Sequence, residues 1–251
     1  MSSTEPVHAP HAPLTAYYRS EQERPAWLRQ MFDSTAPDYN LVEKILGFGT
    51  GPWYRRQALL RAGLKAGMRV VDVGVGTGLV ATQAAAIVGS AGSVVGIDPS
   101  QGMLQNARVP TGVRLLEGRA EDIPLPDNSC DFLSMGYALR HVGDLSRAFA
   151  EFRRVLQPGG RLCILEITRP DSALQTALLK IYLRAVVPAL ARLIVRNRST
   201  SLLWQYYWDS IEACAPPHEI LRALQEAGFA GGDRVVSFGM FSEYRAEKPA
   251  L

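Results

Sequence analysis

Arg69-Val70-Val71-Asp72-Val73-Gly74-Val75-Gly76-Thr77-Gly78, followed by the small-residue run Leu79 to Val88, decides the fold. A short β-branched segment, a tight glycine turn and a helix make the opening unit of a parallel α/β sheet. Alternation continues on the C-terminal side. Ser93 to Asp98 reads as a second strand, Gln101 to Arg108 as a helix, Val113 to Glu117 as a third strand and Cys130 to Met135 as a fourth. Each is short and continuously apolar, as buried parallel strands are. Leu145 to Leu156 has helical spacing and ends at the breaker Pro158-Gly159-Gly160, before a fifth strand, Arg161 to Glu166. Asp233 to Phe238 and Met240 to Glu247 complete seven strands, the last two as an antiparallel edge hairpin. The expected fold is a Rossmann-like, mostly parallel seven-stranded sheet with helices on both faces.

Two helical regions flank or interrupt this pattern. Residues 21–64 carry apolar residues three and four apart, with a break at Gly47-Phe48-Gly49-Thr50-Gly51-Pro52, and read as a cap before the sheet. Residues 171–215 read as a helical insertion over the substrate side, broken at Pro188. Its longest uncharged apolar run, Ala185 to Ala191, falls well short of the roughly 20 residues that span a bilayer. Lys180, Arg184, Arg192 and Arg196 are spaced by multiples of four, a basic stripe suited to resting on anionic lipid or to facing solvent over a lid. Residues 1–20, with Pro6, Pro10 and Pro13 and no apolar core, read as a flexible tail rather than a secretory signal, and 21–251 as one domain.

Three glycines at alternate positions allow positive φ and close approach of a ligand to the backbone. A dinucleotide fingerprint needs a further glycine where this chain has Leu79, which opposes a nicotinamide-dependent oxidoreductase. A loop that cradles no pyrophosphate suits S-adenosylmethionine, whose amino-acid end presents an ammonium group to Asp72. Asp98, at the end of the second strand, is placed to accept from two ribose hydroxyls or, more plainly, to cap the next helix. Arg119-Ala120-Glu121-Asp122 follows the third strand, at the reach of an adenine.

Val70 to Gly78, Gly118 to Asp127 and Val155 to Arg161 resemble class I methyltransferases. Phe32-Asp33-Ser34-Thr35-Ala36-Pro37-Asp38-Tyr39, Gly47-Phe48-Gly49, Ala138-Leu139-Arg140-His141-Val142 and Leu165-Glu166-Ile167-Thr168-Arg169-Pro170 are similar to the ubiquinone/menaquinone biosynthesis C-methyltransferases, over about residues 30 to 245. The resemblance implies methylation of a ring carbon of a prenylated quinol, with Thr77, Asp98, Arg119-Ala120 and Gly136 touching S-adenosylmethionine and Arg140 on the acceptor side. The expected cofactor set is Asp72, Gly74, Gly76, Thr77, Gly78, Asp98, Pro99, Met103, Arg119, Ala120, Glu121 and Gly136. This chain departs from the family pattern at Gly74 and Val75, usually alanine and glycine, at Arg119, usually asparagine or aspartate, and at His141, usually asparagine.

A phenolic ring carbon needs its neighbouring hydroxyl deprotonated or strongly shared. Arg140 can hold the oxygen but cannot act as a base. His141 is the adjacent titratable group, with a helix-start role as its plainer alternative, and Glu166 pairs with Arg140 or Arg169 or moves a proton. Phe48, Trp53, Tyr54, Trp204, Tyr206, Tyr207 and Trp208 are candidates for an apolar acceptor wall. A phospholipid amine, another small metabolite as acceptor, or a non-catalytic scaffold that keeps the cofactor pocket, are the competing readings.

Composition bounds the rest. The chain has 251 residues, 47% of them hydrophobic, and a net charge of +3 without arginine-rich runs, which argues against nucleic acid as partner. Three scattered cysteines, Cys130, Cys163 and Cys214, suggest neither disulfides nor a metal site. The expectation is a cytoplasmic enzyme, with a small-molecule or lipid-like acceptor and with peripheral membrane association and homodimerisation both left open.

Overall fold

The computed structural model describes residues 9–47, 49–194 and 198–250. Seven strands form one sheet: β1 (Arg69–Val73), β2 (Ser93–Asp98), β3 (Arg114–Glu117), β4 (Cys130–Gly136), β5 (Leu156–Ile167), β6 (Ala230–Ser237) and β7 (Phe241–Glu247). Their order is β3-β2-β1-β4-β5-β7-β6. The first five run parallel, and β7 pairs antiparallel with both β5 and β6. The order reverses between β1 and β4, so the ends of β1, β2 and β4 open a crevice on one edge, where ligands bind in such sheets.

Helices α1 (Arg24–Leu46) and α2 (Gly51–Arg61) precede β1, and α3 (Leu79–Val88), α4 (Gln101–Gln105) and α5 (Leu145–Val155) connect strands. In α5, Leu145, Ala148, Phe149, Phe152 and Val155 form one buried stripe, and the Asp144 carboxylate caps its first turn by accepting from Arg147 N. Helix α4 ends at Gln105, short of the expected Arg108, because Arg108 N turns away to donate to Thr77 O at 3.0 Å. Strand β5 starts before the expected breaker. Pro158-Gly159-Gly160 is an irregularity inside it, with Gly159 at φ 75° and Gly159 N bonded to Lys248 O, so the strand continues through the turn signal.

The insertion comprises α6 (Ala173–Ile181), a π-helical turn (Tyr182–Val186), α7 (Val187–Ile194) and α8 (Arg198–Ala213), followed by α9 (Pro217–Glu226). Pro188 does not break the helix as expected. The wider turn before it accommodates the missing donor, and the proline sits in the first turn of α7, where no donor is needed. Consequently Ala173–Leu190 is a continuous helix, long and apolar enough by composition to cross a membrane despite Lys180 and Arg184, with 22% of it buried. Counting only uncharged runs in the sequence hid that length. Of the expected basic stripe, Lys180 pairs with Glu212 and Arg184 with Asp209, which tie the helix to α8; Arg196 lies outside the described residues.

The expected flexible tail is corrected from residue 9 onward. Tyr17 and Tyr18 pack on Trp27, Tyr17 also meets Tyr206, Tyr17 bonds Asp209, and Pro10 O accepts from Ala215 N. Aromatic burial and a buried His11 anchor this segment across α8. Cys130, Cys163 and Cys214 are all free thiols, the first two buried.

Candidate active site

The glycine loop leaves β1 with Gly74, Gly76 and Gly78 at φ 69°, 53° and 90°, a region that side-chained residues resist. The three glycines are needed for different reasons. A Cβ on Gly74 would lie 2.6 Å from Ala138 Cβ, and one on Gly78 2.3 Å from Val109 Cγ1, whereas one on Gly76 would meet nothing. Gly76 therefore faces open space, and Gly74 and Gly78 let the loop close on its neighbours.

That space is part of a cavity of about 400 Å³ running from the loop to the underside of α1. On the donor side, Asp98 accepts from Gly76 N on Oδ2 and from Ser100 N on Oδ1, both at 2.8 Å, leaving a lone pair on each oxygen toward the cavity. Burial lifts its carboxyl from 3.8 to about 6. Pro99, Met103, Ala120, Glu121 and Gly136 line the same wall. Glu121 ties this wall to the next loop by accepting from Gly143 N at 2.6 Å, and the Arg119 side chain beside it is half exposed. Thr77 also lines the cavity, and its hydroxyl donates to Asn40 on α1. Asp72 does not line it. The Asp72 carboxylate lies one residue below the loop, with Oδ1 held by Ser134 and Oδ2 unpartnered; burial raises its carboxyl to about 7.

Arg55 was not among the sequence candidates. It is buried in α2, lines the cavity and lies over the Tyr137 ring; Nη2 bonds Glu43, while Nε and Nη1 have no partner. A buried guanidinium with two free donors calls for an anion. Only the sequence run Tyr54-Arg55-Arg56 hinted at it, and nothing there distinguishes Arg55 from an exposed helix arginine. Tyr137 is itself in the left-handed region at φ 60°, a backbone state that non-glycine residues hold at cost and that gathers at functional sites. Its turn aims the ring into the cavity.

On the acceptor side the structure corrects the placement of Arg140. Its guanidinium is fully buried: Nη1 donates to Glu166 Oε1 at 2.5 Å and to Tyr137 O, Nε donates to Ser210, and the plane lies 4.3 Å from the Tyr207 ring centre. Glu166, at the end of β5, captures it, so Arg140 supports the cavity wall instead of lining it. His141 does line the cavity. Nδ1 lies 3.2 Å from Tyr206 Oη, and Nε2 is buried without a partner. Burial and the cations Arg140 and Arg24 push its pKa well below 6.5. Of the expected aromatic wall, Tyr207 lines the cavity; Trp53 is exposed, Tyr54, Trp204, Tyr206 and Trp208 are buried in packing, and Phe48 lies outside the described residues. Phe32, Tyr39 and Leu28 from α1 take their place.

An acidic strand end beside an open glycine loop and an unsatisfied guanidinium match the ribose and carboxylate parts of S-adenosylmethionine. The sheet order and this site define a class I S-adenosylmethionine-dependent methyltransferase. The chain belongs to the ubiE/COQ5 methyltransferase family, whose model matches residues 19–246. It is 34% identical to the ubiquinone/menaquinone biosynthesis C-methyltransferase UbiE of Campylobacter jejuni, covering 87% of this chain and 96% of that one. It is 36% identical to the UbiE of Syntrophotalea carbinolica, covering 80% and 85%. An S-adenosylmethionine-dependent methyltransferase from Aquifex aeolicus shares the fold at a TM-score of 0.60 and 22% identity, over 83% of this chain and 97% of that one.

Proposed function

We propose that this methyltransferase alkylates a ring carbon of a hydroxylated, prenylated aromatic in quinone biosynthesis. One observation carries the reading. The cofactor crevice continues, without a wall, into an acceptor chamber lined by Leu28, Phe32, Tyr39, His141 and Tyr207, apolar on most sides with polar groups at one end. Relatives bearing quinone-methyltransferase names, among them a demethylmenaquinone methyltransferase of Symbiobacterium thermophilum at 29% identity, support the same acceptor class.

S-adenosylmethionine supplies an electrophilic methyl on a sulfonium. The protein's part is alignment and exclusion of water. Asp98 takes the ribose hydroxyls and Arg55 the carboxylate, while α1 closes the chamber over the ring. A prenyl tail would leave along the insertion toward a membrane surface. Leu174, Leu178 and Ile181 form an exposed apolar row on α6, beside the exposed Phe238 of the β6–β7 turn, and they support a lipid-facing edge.

The test is turnover of methyl-labelled S-adenosylmethionine with a short-chain demethylated naphthoquinol, beside phosphatidylethanolamine, with product mass locating the label. Carbon methylation of the quinol is expected. Methylation of the amine alone would replace this reading with a nitrogen acceptor.

A further inference from the structure

The cavity opens to solvent on one side and stops short of the surface on another. Gln22, Pro25, Arg29, Pro99 and Arg119 line it and are exposed, so the open mouth carries two arginines and little apolar surface. None of the exposed apolar residues Leu174, Leu178, Ile181 and Phe238 lines the cavity. A chain of aromatic rings joins the two. Tyr137, in the cavity wall, has its ring 6.5 Å from that of Phe241 and nearly perpendicular to it. The half-buried Phe241 ring lies 5.1 Å from Tyr54 and 6.4 Å from Phe238, which is on the surface. A Cβ on Gly239 would stand 3.0 Å from Gln175 Oε1 of α6, so the chain of rings emerges beside the apolar row of that helix.

Phe238 is a costly residue where it stands. Met240 N donates to Ser237 O at 3.2 Å, closing a two-residue turn in which Phe238 and Gly239 have φ 54° and 72°. A hairpin turn with both central φ values positive favours asparagine or aspartate first and glycine second. An aromatic ring in the first place strains the backbone and leaves apolar surface in water, and neither serves the hairpin. Tyr137, at the inner end of the chain of rings, is also left-handed. Its backbone is pinned, with N donating to Leu165 O at 2.7 Å and O accepting from Arg140 Nη1 at 2.9 Å. Its hydroxyl has no hydrogen bond among the described residues. The ring is therefore held by its faces alone, against Phe241 and Arg55, and can turn about its side-chain torsions while the backbone stays fixed.

We propose that the acceptor's prenyl tail leaves the chamber past Tyr137 and along Phe241 to Phe238, while the cofactor uses the cationic mouth. This rests on the methyl-transfer reading above and names the residues that select a tailed acceptor. A tail leaving through the mouth would lie in water beside Arg29 and Arg119, at a cost that grows with the apolar area left uncovered. Along the rings it stays covered, and it emerges where α6 presents Leu174 and Leu178 to the same surroundings. Tyr137 turning aside opens the passage, and the ring closes the chamber again behind a tail-less acceptor.

Phe238→Asp puts a charge at the exit, on an exposed turn whose backbone suits aspartate. Phe241→Trp narrows the passage itself. The readout is the ratio of kcat/KM for 2-geranyl-1,4-naphthoquinol to that for 1,4-naphthoquinol. In each variant this ratio should fall about tenfold; a wild-type ratio in either overturns the passage. Arg29→Asp, in the mouth, should leave the ratio where it is, and a fall there would place the tail in the mouth instead. If the wild-type enzyme methylates neither quinol, the quinone reading fails on its own. The passage is then judged by the binding of 2-geranyl-1-naphthol and 1-naphthol to enzyme loaded with S-adenosylhomocysteine. The geranyl compound should bind about tenfold tighter and lose that margin in Phe238→Asp. No margin in the wild type, or the same margin in the variant, refutes the passage.

Discussion

At the scale of single residues, the site is built from carboxylates kept out of water. Asp98 titrates at about 6 and Asp72 at about 7, both raised above 3.8 by burial. Because the folded values exceed the unfolded ones, their burial costs stability above about pH 7, and that cost fades as pH falls through 7 and 6 toward 3.8. Ribose hydroxyls donating to Asp98 would select its ionised form, so cofactor affinity is expected to follow the opposite trend. The thermal shift given by S-adenosylmethionine should shrink on acidification below pH 6, with Kd rising by up to about tenfold per pH unit. A shift that stays constant from pH 8 to 5 would remove Asp98 from the binding site. Asp98→Ala should abolish cofactor binding with the fold retained, seen as no heat on titration and an unaltered circular dichroism spectrum. Arg140 makes a different point. With Glu166→Gln, a fully buried guanidinium loses its counter-charge, and we expect a loss of roughly 3–5 kcal/mol in denaturant unfolding. A loss below 1 kcal/mol would mean that the pair is not closed in solution.

Among the elements, α1 does the work that its sequence pattern only foreshadows. The Asp33 carboxylate accepts from Ser100 Oγ at 2.6 Å and Gly102 N at 2.9 Å, and Asn40 holds Thr77, so the cap is fastened to both loops that embrace the cofactor. Asp33→Ala should therefore weaken S-adenosylmethionine binding without touching it, by about 1–2 kcal/mol for a lost pair of charge-assisted bonds; unaltered affinity would show that the cap is held by other contacts. The glycine loop and the strands were legible because their signals are local: β-branched runs, glycines at alternate positions, an acid at a strand end. Other features depend on what lies across space. Pro158-Gly159-Gly160 reads as a stop until Lys248 supplies partners on the neighbouring strand. Pro188 reads as a break until a π turn absorbs it. Arg140 points to the acceptor by motif, yet Glu166 on β5 claims it. Arg55 carries no sequence signal beyond its charge, since its meaning lies in atoms left unpaired by the packing around it.

Over the whole molecule, the helical layer made by α1, the insertion and the anchored segment 9–23 covers one edge of a sheet that is otherwise enclosed by its own connecting helices. Its outer face is apolar where an enclosed enzyme needs none. Leu174, Leu178 and Ile181 are 70%, 58% and 57% exposed, and Phe238 72%, although the inner face of the same helix buries Leu179 and Leu183 against α8. Because Lys180 and Arg184 are engaged with Glu212 and Asp209, lipid binding through this face would rest mainly on apolar insertion and depend weakly on salt. Replacing Leu178 and Ile181 together by glutamate removes two side chains each worth about 1.5–3 kcal/mol of burial. Co-sedimentation with vesicles of phosphatidylglycerol and phosphatidylethanolamine should then fall at least tenfold, while turnover of a water-soluble short-chain quinol persists because neither residue lines the cavity. Loss of both together would mean that the row supports the chamber from outside. Retention of vesicle binding would mean that this apolar row is not what meets lipid.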